Sequence, residues 1–165
     1  MASKNETIIK AEPGKQELFI IREFEAPREL VFKALTDSQL VPRWLGPREL
    51  TTKIDKWDAR SGGHYRYIHS DTNGNGFGFH GVIHEVQAPE RIIQTFEFEG
   101  MPEKGHVVLE TARLEALSGD RTRIVVQSVF QSVVDRDGMM QAGMERGVKD
   151  SHWRLDELLD TQLNN

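Results

Sequence analysis

The chain has 165 residues, enough for one sizeable core and too few for two ordinary domains. Its 21 basic and 26 acidic residues leave a net charge of −5, and no block of Lys or Arg provides an electrostatic footprint for nucleic acid or an anionic membrane. With no cysteine, disulfides, thiolate nucleophiles and thiolate metal sites are all excluded. No apolar run reaches the length of a signal peptide near Met1 or of a membrane span later, so the expected location is the cytoplasm.

Residues 1–16 are polar and interrupted by Pro13-Gly14, which reads as a flexible N-terminal arm, with Ile8 and Ile9 able to add a short edge strand. A single domain is expected over residues 17–163. Leu18 to Glu25 alternates as a strand and passes directly into Pro27, a residue suited to the first position of a helix. That helix carries Leu30, Val31, Ala34 and Leu35 on one stripe; Asp37 can cap a second short helix, which ends before Gly46-Pro47.

Six strands then follow, near 50–57, 64–70, 77–86, 92–99, 106–116 and 121–130. They are separated by turn sequences such as Ser61-Gly62-Gly63 and Ala88-Pro89-Glu90. Connections this short imply antiparallel neighbours. From Asp137 to Leu163 the apolar period becomes helical, and Met140, Met144, Val148, Ser151, Leu155, Leu158 and Leu159 fall within a sector of roughly 100°. A sheet with one apolar face and no second sheet needs this helix as its cover. The expected class is α+β: a curved antiparallel sheet wrapped around a long C-terminal helix, with two short helices after the first strand.

Tyr65, Tyr67 and His69 lie two apart on one strand and share a face. Phe77 and Phe79 on the next strand, and Phe96 and Phe98 on the one after, supply an apolar wall, with Met140 and Met144 opposite as adaptable lining. Each of these aromatics is equally readable as ordinary core. Gln94 shares the face of Phe96 and is a candidate donor to a ligand. Glu110, between Val108 and Ala112, is a carboxyl either at the rim or turned inward, where desolvation raises its pKa.

His80 and His84 stand ~13 Å apart on a strand and do not share an ion, so no metal is expected. Gly76-Phe77-Gly78-Phe79-His80-Gly81 fits a dinucleotide-binding pattern but runs into a strand instead of a helix. Asp71 to Gly76 copies half of a calcium loop, yet Val82 stands where a bidentate Glu is needed, and a hairpin turn is the better reading. No nucleophile, base and orienting group appear at a recognisable spacing.

Five ordered blocks carry a family resemblance. They are Ala26-Pro27-Arg28-Glu29-Leu30-Val31-Phe32-Lys33-Ala34, Trp44-Leu45-Gly46-Pro47, Trp57 to Tyr65, Ala88-Pro89-Glu90-Arg91-Ile92, and Gly143-Met144-Glu145-Arg146-Gly147 running on to Leu155-Asp156-Glu157-Leu158-Leu159. Together they resemble the heat-shock-protein ATPase activator homologues of the START/SRPBCC superfamily, which share the helix-grip fold with birch-pollen-allergen-like proteins. The resemblance implies that fold, and the helix covering the curved sheet is expected to leave a cavity lined by Trp44, Tyr65, Tyr67, His69, Phe77, Phe79, Gln94, Phe96, Phe98, Glu110, Met140, Met144 and Val148. It also marks a departure: relatives commonly place a tryptophan where this chain has Val148, which implies a roomier lid.

The expected function is binding of a small hydrophobic or aromatic molecule without catalysis and without a cofactor. A cyclase- or dehydratase-like enzyme in the same cavity and a chaperone-activating interaction module are the alternatives. Trp153, off the apolar stripe, packs either on the N-terminal arm or against a second copy in a weak homodimer.

Overall fold

The computed structural model describes residues 5–163. Residues 1–4 of the expected arm lie outside the described residues. Strands β1 (Ile8–Lys10) and β2 (Glu17–Phe24) lead into helix α1 (Arg28–Thr36) and a 3-10 turn at Val41–Arg43. Then come β3 (Thr51–Trp57), β4 (His64–Ser70), β5 (Gly76–Gln87), β6 (Arg91–Phe98), β7 (Val108–Leu117), β8 (Arg121–Val129), α2 (Val133–Gln141) and α3 (Met144–Leu163). All described strands join one antiparallel sheet in the order β1-β2-β8-β7-β6-β5-β4-β3. The segment containing α1 and the 3-10 turn therefore carries the chain from β2 near one edge to β3 at the other.

The expected helix-grip architecture is present, with one correction. The Asp137–Leu163 helix is two helices, because Gly143 adopts φ +89°, a left-handed conformation that glycine takes without a Cβ penalty, and the chain turns there. Helix α2 begins earlier than its apolar stripe suggests, capped by Ser132, whose hydroxyl accepts the Asp135 N–H at 3.0 Å. The signal Ser132-Val133-Val134-Asp135 was in the sequence, but the 3.6-residue period started too late to draw attention to it. Met140 consequently belongs to α2 and is exposed, not on the α3 stripe.

Helix α3 lies on the sheet unevenly. Its C-terminal half is packed closely: Leu155, Leu158 and Leu159 are buried against Phe24, Ile92, Leu114 and Ile124, with α1 closing the end of the cluster. Arg22, 1% exposed on β2, adds a forked contact to the Asp156 carboxylate, with Nη1 to Oδ1 at 3.1 Å, and stacks over Phe24. The N-terminal half carries Met144 and Val148, which pack toward Leu18, Ile20, Val108 and Phe130. Among the described residues, no helix is long and apolar enough to cross a membrane.

Candidate ligand-binding face

Cross-strand partners share a face, so the register turns the inner surface of the sheet into rows. One row runs Ile83, Gln94, Glu110, Ser128, Leu18 across β5, β6, β7, β8 and β2. The row on one side of it is Ile92, Ala112, Val126, Ile20, and on the other side Phe96 pairs with Val108. Three polar side chains thus stand side by side between apolar neighbours in the adjoining rows. Glu110 is turned inward, and Gln94 donates a hydrogen bond to it. Desolvation pushes the Glu110 carboxyl up to about 7 against the opposing pull of Gln94.

Strand β4 brings Tyr65, Tyr67 and His69 to the same surface, all three buried. Tyr65 reaches across β5 and donates to the Thr95 carbonyl at 2.5 Å. It can do so because its partner on β5 is Gly81, where a Cβ would stand 2.0 Å from that carbonyl oxygen and 2.6 Å from the phenol oxygen. Tyr67 stacks on Phe79, which stacks in turn on Phe96, with centroids 5.2 and 5.5 Å apart. Burial, and then the neighbouring Glu110 carboxylate, raise the pKa values of both tyrosines.

His69 is held neutral, lowered to about 4 by burial first and by Arg154 second. Its Nδ1 lies 2.9 Å from the Thr52 hydroxyl, which itself donates to the Leu45 carbonyl, so Nδ1 carries the proton and Nε2 is left as an acceptor. The ring rests directly on Gly46, with φ +96°, where a Cβ would come within 2.6 Å of His69 Cε1. Arg154 fastens this turn from α3 by donating to the Leu45 and Gly46 carbonyls, and the Ser151 hydroxyl accepts the Gly46 N–H at 2.8 Å. The Trp44-Leu45-Gly46-Pro47 block is thus a strap between β4 and α3. Trp44 itself is core, its indole donating to the Ala34 carbonyl at 2.8 Å.

Gln94, Phe96, Glu110, Ala112 and Val126 all face the covered side of central strands, yet each keeps part of its surface accessible. Around Leu155 helix α3 packs closely on the sheet, whereas these side chains stay partly open to water. Phe77 pairs with His69 and Phe98 with Phe79 on this face, Phe77 being 37% exposed. Two hollows lie outside the grip. One of about 220 Å³ runs along the outer face of α3 beside Trp153, and one of about 100 Å³ lies between Ile9, Met140, Met144 and Glu145.

The register therefore gathers Tyr65, Tyr67, His69, Phe79, Gln94, Phe96 and Glu110, with Met144 and Val148 on the covering helix. It leaves Met140 outside and Trp44 in the core. Sequence reasoning did not pair Ser128 with Glu110, although Ser128 shares the parity of inward-facing Ile124 and Val126. His80 lies on the opposite face of the sheet, between Glu97 and Glu99, and the Asp71 carboxylate accepts the Asn73 and Asn75 N–H groups in a hairpin turn.

The family model for activator of Hsp90 ATPase homologue 1-like proteins matches residues 25–160. The chain belongs to this family. No curated protein matches the sequence. Among solved structures, one from Arthrobacter aurescens is similar over 93% of this chain and 91% of its own, at 23% identity and a TM-score of 0.84. One from Rhodobacter sphaeroides covers 93% and 98% at 23% identity and a TM-score of 0.83. A Silicibacter pomeroyi protein described as AHSA1 covers 88% and 99% at 19% identity and a TM-score of 0.73. At these identities the neighbours of this Hsp90-activator-like chain establish its fold and not its chemistry.

Proposed function

We propose that this protein binds a small apolar or aromatic molecule between the N-terminal half of α3 and the inner face of β4 to β8. The reading is supported by an inner sheet face whose central side chains stay partly accessible although a helix lies over the sheet. An aromatic wall of Tyr67, Phe79 and Phe96 meets a short, partly accessible polar row, the pattern of a site that buries an apolar body and orients it by a few polar groups. Two-dimensional NMR titration with lipids, flavonoids and polyketides tests the reading. Saturable shifts in β4 to β8 and at Met144 to Ser151, with the ligand recovered unchanged, are expected. Shifts confined to the outer surface for every compound would overturn it, and conversion of the ligand would move the assignment to an enzyme using Tyr67, His69 or Glu110.

Family membership favours a second reading, a module that raises a chaperone's ATPase rate. An ATPase assay with and without the chain separates the two, an unchanged rate being the expected result.

A further inference from the structure

The ligand-binding reading leaves open what the polar row is for, and the inference that follows rests on that reading. A carboxyl placed between two apolar rows needs a partner in the folded protein or in what the protein holds. Gln94 donates to the Glu110 carboxyl, which otherwise keeps part of its surface accessible on the inner face. No cation is among the causes that set the Glu110 pKa, and Arg22 and Arg154 are engaged elsewhere, by Asp156 and by the carbonyls of the 43–46 turn. An anionic ligand therefore meets no counter-charge, and a cationic one requires Glu110 to ionise against the apolar surroundings.

We propose that Glu110, protonated and flanked by Ser128, donates a hydrogen bond to the carbonyl oxygen of a neutral aromatic ketone whose ring lies along Tyr67, Phe79 and Phe96. The arrangement matches the chemistry of such an acceptor. A carbonyl oxygen has two lone pairs, and directly opposed side chains in an antiparallel pair start from Cβ atoms ~5 Å apart, so the Glu110 O–H and the Ser128 O–H can converge on one atom. The groups that face Glu110 are few. Its own row holds Ile83 from β5, Gln94 from β6, Ser128 from β8 and Leu18 from β2, Tyr65 and Tyr67 from β4 feel its charge, and Met144 and Val148 of α3 pack toward Leu18 and Val108 beside it. Among them only the two tyrosines titrate, and burial holds both neutral through the working range. The Glu110 midpoint of about 7 then makes ketone binding proton-linked.

Three probes of one skeleton test this: 2-ethylnaphthalene with no polar group, 2-acetylnaphthalene with the carbonyl, and 1-(2-naphthyl)ethylamine with a cation. Dissociation constants are read from amide shifts of the full chain at pH 6 and pH 8. The ketone is expected to bind more tightly than the hydrocarbon and to weaken about tenfold from pH 6 to pH 8, as follows when only the protonated form with a midpoint of about 7 binds. The hydrocarbon should not change with pH. Glu110→Gln, which keeps a donor, should bind the ketone with no pH dependence. In the unsubstituted chain, the Glu110 carboxyl 13C titration should move to higher pH when the ketone saturates the protein. An amine that binds best and tightens as pH rises, or a downward move of that titration, overturns the inference. Three equal, pH-independent affinities overturn it while leaving the binding reading intact, and no binding by any probe removes both.

Discussion

Replacing Glu110 by Gln should make the protein more stable at pH 8 and change little at pH 5. The folded carboxyl has a midpoint of about 7 against an ordinary 4.5, because burial disfavours its charge. For a carboxyl raised in this way, the folded and unfolded chains bind the same proton below the ordinary value, and there is no penalty. As pH rises from 4.5 through 7 the unfolded chain ionises freely while the folded chain resists, so stability is lost across that window. The gap between the two midpoints corresponds to about 3 kcal/mol at pH 8. This is an upper figure, since water reaching the partly accessible Glu110 side chain softens the desolvation. A glutamine keeps the Gln94 contact and cannot ionise. Urea unfolding of both proteins at pH 5 and pH 8 measures the effect, with the variant expected to gain 1–3 kcal/mol relative to the parent between the two conditions. If the stability difference is flat across this range, Glu110 is solvated in the folded state, and the inward, enclosed position assigned to it is wrong.

Val148→Trp should be tolerated, should weaken binding of large ligands and should leave small ones nearly unaffected, as NMR titration can show; an unfolded variant means that no space exists beneath α3. Gly81→Ala forces its Cβ into the Thr95 carbonyl and the Tyr65 phenol, and should lower stability by about 1–3 kcal/mol in thermal unfolding. His106, whose Nδ1 lies 3.0 Å from the Asp135 carboxylate on α2, has its pKa raised mainly by that hydrogen bond. The stabilisation from this pair is present below the ordinary histidine value and disappears as pH rises through the raised one. Asp135→Asn should bring the His106 titration, followed by its imidazole proton shift, back toward 6.5.

The elements were largely legible in the sequence because each is set by local period. Alternation marked β2 and β4 to β8, and glycine and proline marked their ends. The apolar stripe from Met144 to Leu159 marked the covering helix. The break at Gly143 was not legible, since a helical glycine and a left-handed one look the same in a string of residues, and the stripe on either side continues in phase. The inward set Tyr65, Tyr67 and His69 followed from spacing by two, which holds within a strand whatever lies beside it. The side-by-side placement of Gln94, Glu110 and Ser128 depends on register between strands. Only the tertiary structure decided it, because register is settled by the whole sheet finding one alignment that buries all its inner rows together. For the same reason the sequence could place a carboxyl at position 110 of a strand, but only the packing of sheet and helix decided that it faces inward, sheds part of its hydration and has its pKa pushed up.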